Sequence, residues 1–238
     1  MTVLPKTPTP RTSTFAHRAL HFYHNLRLPL KLPENVNVMN PYLSFDVQSA
    51  VEKFFTTYFS DTHDRVYVFG INPGRFGAGL TGVTFTDPVA LERFCGIPNS
   101  FDKKRETSSD FVYRCIEELG GPTTFYKHFF LTAISPLGFI RDDKNYNYYD
   151  DDDLLIALRP FILDTLYAQL TFGARRDIAI VLGTGKNYHF FNTLNKEYDF
   201  FSHIYALEHP RFIMQYRRKR ISEYLKKYHT IFSRALSL

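Results

Sequence analysis

At 238 residues the chain can bury a large core, and 44% apolar residues place it among globular rather than disordered proteins. Its 29 Lys and Arg exceed its 24 Asp and Glu by only five, so it is not a polycation. No run approaches the roughly 18 apolar residues of a membrane span, and two cysteines, Cys95 and Cys115, are too few for a four-cysteine zinc or iron–sulfur site.

The chain opens on MTVLPKTPTPRTST, with Pro and Thr where a secretory leader needs an apolar centre. It reads as an exposed arm, and a cytoplasmic location is the default expectation. Residues 14–27 and 44–60 carry apolar side chains at helical spacing. Val66–Ile71 reads as a strand. Thr86 is expected to cap a short helix over Asp87–Phe94, with Pro88 in its first turn. A further helix spans Ser109–Leu119 and stops at Gly120-Gly121, before a second strand, Phe129–Ile134. Asp150–Asp153 heads a long helix to about Leu170, and consecutive acids there suit the helix dipole better than a metal. A third strand, Ile178–Leu182, enters Gly183-Thr184-Gly185 and another helix. Ile204–Leu207 is the fourth strand, and a basic helix begins near Gln215.

Short apolar strands alternating with helices predict an α/β fold: three layers, α/β/α, around a short central parallel sheet of about four strands. No linker divides the chain. Residues 1–238 are read as one domain, with an arm and helices over 1–60 and an α/β core with a basic C-terminal helix over 61–238. The two cysteines are expected as reduced, buried thiols.

Ligands of such sheets bind outside the carboxyl ends of the strands. Those ends are GINPG, TAISP, LGTGK and LEHPR. In the first, Asn72 precedes a proline, which biases it away from helical geometry, and its amide can hold a water. In the last, His209 precedes Pro210 and can donate a hydrogen bond or a proton to a leaving group. LGTGK offers backbone N–H groups at a helix start, with Lys186 beside them, but it is not a Walker A loop. TAISP supplies only Thr132 and Ser135 as polar groups. Arg211 to Arg234 holds eight Lys and Arg against one acid, Glu223, a focus suited to a phosphate backbone.

These segments resemble the uracil-DNA glycosylase superfamily, and most of all its single-strand-selective monofunctional members and their bacterial relatives. The resemblance rests on Gly70, Asn72, Pro73, Gly74, Phe76, Gly77, Thr81, Gly82, Val83 and Phe85, on His209-Pro210 and on LGTGK, and it runs from about Val66 to Arg220. It implies an enzyme that flips a damaged base out of DNA and hydrolyses its N-glycosidic bond, with no cofactor and no metal. By that resemblance Asn72 positions the water and His209 stabilises the departing base. Ile71, Gly74, Arg75 and Phe85 contact the base, with Phe85 stacked on it. Gly183, Thr184, Gly185, Lys186, Pro210, Arg211, Phe212, Arg217 and Arg218 contact DNA, the partner, whose strand a monomer would bind.

The chain departs from the pattern at three positions. Ala133 stands where the relatives have a base-reading asparagine, which points to a broader choice of deaminated base, xanthine and hypoxanthine included. Arg75 replaces a proline. Arg211 replaces a serine, in a segment expected to wedge into the vacated stack through Phe212, Ile213 or Met214. Two other functions fit the same residues: an inactive nucleic-acid-binding protein on this scaffold, and an α/β hydrolase of nucleosides or nucleotides.

Overall fold

Alternation along the first core strand fixes what lies on either side of the sheet. The computed structural model describes residues 13–237; the expected arm falls almost wholly on residues 1–12, outside the described residues. In chain order the elements are α1 (Phe15–Asn25), β1 (Val36–Met39), α2 (Phe45–Tyr58), β2 (Arg65–Gly70), α3 (Ala78–Thr81), α4 (Pro88–Arg93), α5 (Thr107–Glu118), α6 (Gly121–His128), β3 (Phe129–Ala133), β4 (Gly138–Arg141), β5 (Lys144–Tyr146), α7 (Asp152–Leu170), β6 (Ala174–Leu182), α8 (Lys186–Tyr198), β7 (His203–Leu207), α9 (Pro210–Tyr216) and α10 (Ile221–Leu236). The main sheet is parallel, in the order β3-β2-β6-β7. This is the expected architecture.

Every residue of β2 is buried, as a strand covered on both faces must be. Tyr67 and Phe69 point one way. Tyr67 meets Phe15 of α1 and donates its hydroxyl to the Gln169 carbonyl of α7 at 2.7 Å, while Phe69 packs on Phe191 of α8. Val66 points the other way beside its register partner Phe129, whose ring contacts Phe125 of α6 and Phe232 of α10. Helices α1, α7 and α8 thus cover one face, and α6 and α10 the other. Aromatic side chains, 17% of the sequence, supply much of this packing.

The N-terminal helices are held to the sheet by a fully buried Arg65. Its guanidinium donates to both Asp61 carboxylate oxygens, at 2.9 and 2.8 Å, and to the Tyr126 carbonyl at 2.7 Å. It also lies within 5 Å of the ring centroids of Phe15 and Phe59, which stack on each other. A buried cation is tolerated only with such complete pairing.

Several local expectations change. Asp87, not Thr86, caps α4, accepting from the Ala90 N–H at 2.8 Å, while the Thr86 hydroxyl pairs with that of Tyr113. At the start of α7, Asp152 and Asp153 keep the expected place in the first turn, at the positive end of the helix dipole, and Asp151 adds a cap by accepting from the Leu154 N–H. Gln215 does not open a basic helix. It lies inside α9, the chain breaks at Arg217, and α10 begins only at Ile221 after a 3-10 turn. Cys95 and Cys115 are free and buried, and burial pushes the Cys95 thiol up to about 11. Among the described residues no helix is long and apolar enough to cross a membrane.

One element has no counterpart in the sequence reading. Strands β1, β4 and β5 form a small antiparallel sheet. The β4–β5 hairpin turns through Asp142 and Asp143, both at positive φ (48° and 55°), the backbone of a two-residue I′ turn. This hairpin carries the chain over the carboxyl ends of the main sheet.

Candidate active site

The carboxyl ends of β2, β3 and β7 open on a cavity of about 120 Å³. Asn72 and His209 both line it, with Gly70, Ile71, Gly74, Phe85 and Ala133. That is far below the roughly 300–1,000 Å³ of common drug-sized sites and suits a single planar ring.

Asn72 lies just beyond β2, and its amide is keyed from the hairpin. Its Oδ1 accepts from the Tyr148 N–H at 3.1 Å, and its Nδ2 donates to the Tyr146 carbonyl at 3.3 Å. Because one partner only donates and the other only accepts, the amide has one orientation. Tyr148 is fully buried, and its hydroxyl donates to Asn187 Oδ1 at 2.8 Å. Asn187 Nδ2 in turn donates to the Leu182 carbonyl at 3.0 Å. A chain of contacts therefore runs from β6 through the first turn of α8 to Asn72. The Asn145 Oδ1 fixes the same loop by accepting from the Arg75 N–H at 2.9 Å.

Phe85 forms one wall of the cavity and is only 8% exposed. Its backbone is left-handed, φ 56°, a strained state for an aromatic residue. Gly70 makes room for its ring: a Cβ added there would sit 2.8 Å from Phe85 Cζ. Gly70→Ala should therefore displace the ring and destabilise the fold by about 1–3 kcal/mol, as overpacking does. A thermal melt at the wild-type midpoint would contradict this packing.

His209 lies two residues beyond β7 and caps α9, its Nδ1 accepting from the Arg211 N–H at 3.2 Å. With Nδ1 an acceptor, the proton of the neutral ring is on Nε2. Burial, with Arg211 adding to it, lowers the imidazole from its usual 6.5 to about 4. The ring is therefore neutral at pH 7 and offers one N–H. It lies 5.7 Å from the Phe85 ring, centroid to centroid.

The remaining expected residues divide. Ile71, Gly74 and Arg211 line the cavity, whereas Arg75 does not: its guanidinium lies over the Phe76 ring, 5.1 Å from the centroid. Gly183 to Lys186 form the turn into α8, with Gly185 at its N-terminus and Gly183 at φ 118°. Lys186 Nζ reaches the Tyr149 carbonyl at 3.4 Å. Pro210 opens α9 and is buried. Of the three expected wedge residues only Phe212 is exposed, at 37%; Ile213 and Met214, at 0% and 7%, belong to the core. Tyr216, 66% exposed, joins Phe212 with ring centroids 5.6 Å apart, and the Arg217 guanidinium covers the Phe212 ring. The basic run is also thinned, since Arg220 pairs with Glu223 and Lys227 with Glu208. Arg217, Arg218 and Lys219 stay exposed.

Comparison with known proteins places this geometry. A family model, the uracil DNA glycosylase superfamily, matches residues 56–232. The crystal structure of wild-type Pedobacter heparinus SMUG2 is similar over 94% of this chain and 99% of that one, with a TM-score of 0.91 and 41% sequence identity. A search of curated proteins found no match. The chain is thus a DNA glycosylase, a hydrolase of N-glycosyl bonds that serves base excision repair. It belongs to the uracil DNA glycosylase superfamily, among its SMUG-like proteins.

Proposed function

We propose that this chain is a monofunctional glycosylase acting as a monomer on uracil in DNA, with Asn72 and His209 as its catalytic pair. One observation carries the reading: the amide and the imidazole line one ring-sized cavity walled by Phe85. Cleaving the N-glycosidic bond leaves a cationic sugar and an anionic base. A neutral His209 donating through Nε2 meets that anion where the charge develops. Asn72, its orientation set by Tyr146 and Tyr148, holds the attacking water. Phe85 takes the face of the flipped base.

Ala133 widens the reading. It lines the cavity, but its side chain has no hydrogen-bonding group with which to reject a different base edge. Strong discrimination comes from buried polar groups left unpaired by the wrong ligand, and an alanine side chain supplies none. Xanthine and hypoxanthine are therefore included as substrates. The test is a panel of oligonucleotides, each with one deaminated base, incubated with protein and then treated with alkali. Strand breaks at uracil are expected, with measurable breaks at the deaminated purines. Strict uracil preference would remove the wider choice, and no breaks anywhere would remove the function.

DNA would lie along the exposed Arg217, Arg218 and Lys219, with Phe212 and Tyr216 as the wedge and the start of α8 on a flanking phosphate. Arg217→Ala and Arg218→Ala should each weaken binding to every sequence alike. Each should also lower the slope of log affinity against log salt by about 0.7–0.9. Anisotropy titrations over a salt series measure this, and an unchanged slope would take the residue off the phosphate backbone.

A further inference from the structure

Glu106 has no part in the motifs, yet it lines the cavity with Asn72 and His209 and is the one carboxylate among the lining residues. It stands at the N-cap position of α5, but its side chain makes no capping bond. Its backbone is fixed instead, the N–H donating to Asp87 Oδ2 at 2.8 Å. The carboxyl reaches across to the bare backbone that follows Asn72. A Cβ added to Gly77 would lie 1.8 Å from Glu106 Oε2, and one added to Gly74 would lie 2.7 Å from Oε1. The glycines of this loop thus make room for an acid as well as for a base.

Asn72 orients water but cannot take its proton, because an amide is not a base at neutral pH. From the shared cavity and the glycine cradle we infer that Glu106 is the proton acceptor for the water that Asn72 positions. This rests on the glycosylase function proposed above. As the C1′–N bond breaks, its electron pair leaves with the base and is met by the His209 N–H. The water oxygen forms the new C1′–O bond, and one water proton passes to the Glu106 carboxylate.

Electrostatics suit a base poised near neutrality. Burial raises the acid from 4.5 to about 7, Asp87 adds to the rise, and Arg211 opposes it. His209 faces the same cavity. On its other side Glu106 shares a cleft with Arg93, Arg105, Asp110 and Arg218.

The test compares wild type with Glu106→Gln in single-turnover cleavage of a uracil oligonucleotide across pH. The wild-type rate should rise about tenfold per pH unit below about pH 7 and then level. Glu106→Gln should be about 10²-fold slower at about pH 8 and flat below it. Affinity for DNA carrying a tetrahydrofuran abasic site should not change. A carboxyl with a raised folded pKa stabilises the fold below its unfolded pKa and loses that contribution as pH rises through the folded value. The variant should therefore melt no lower than wild type at about pH 8. A variant with the wild-type rate and profile overturns the role, as does a uniform loss that keeps the pH limb. If wild type cleaves nothing, the proposed function itself falls.

Discussion

Replacing His209 by alanine is expected to slow single-turnover cleavage by about 10²–10³-fold, the usual cost of one preorganised donor aimed at developing negative charge. Affinity for abasic-site DNA should barely change, because the interaction strengthens only as the bond breaks. The pH behaviour separates a neutral donor from a cationic one. The imidazole is lowered from 6.5 to about 4, so its charge does not change between about pH 5 and about pH 8. The ratio of wild-type to His209→Ala rates should be constant over that range. A ratio that collapses as pH rises through 6 to 7 would show instead that His209 works as a cation with an ordinary pKa. Stability has the matching sign. With the folded pKa depressed, the contribution is present above the unfolded value and is lost as pH falls toward 4, where the ring must charge inside the fold.

Asn72→Ala should cost at least about 10²-fold in the same assay, since a misplaced nucleophile alone costs that much. The loss should fall on the cleavage step, with DNA affinity kept. The variant also frees the Tyr148 N–H and the Tyr146 carbonyl, which Asn72 satisfies at 3.1 and 3.3 Å. A modest fall in melting temperature is expected with the loss of activity, because half-buried polar groups lose their partner. Undiminished cleavage would remove Asn72 from the mechanism and leave it a structural tie between β2 and the hairpin.

The sheet and the cavity are legible in the sequence because their signals are local. Buried parallel strands are continuous apolar runs, and loops at their carboxyl ends are marked by Gly and Pro. Phe85 is named only by the family resemblance, whereas Asn72 and His209 can be named from the chain alone. What holds Asn72 cannot. Residues 144–148 read KNYNY, an alternation too short to mark a strand alone, preceded by Asp142-Asp143 rather than the Asn-Gly or Asp-Gly that announces an I′ turn. Their place over the site depends on β4, which pairs in turn with Val36–Met39, a hundred residues earlier. The wedge is obscure for a similar reason. Phe212, Ile213 and Met214 are equivalent as sequence, and only the packing of α9 on α5 buries two of them. The break at Arg217 carries no Gly or Pro, so QYRRKRISE reads as uninterrupted helix. Glu106 lies 34 positions along the chain from Asn72 in no recognisable motif, and only the fold brings it to the cavity.

The hairpin's grip also limits what can replace the amide. Aspartate matches asparagine in shape and would still accept from the Tyr148 N–H. Its second oxygen, however, would face the Tyr146 carbonyl at 3.3 Å with no hydrogen between them, two lone pairs opposed. Exchange of amide for acid at this strand tip therefore takes more than a single substitution. It is open only to a chain that first swings residues 144–148 aside.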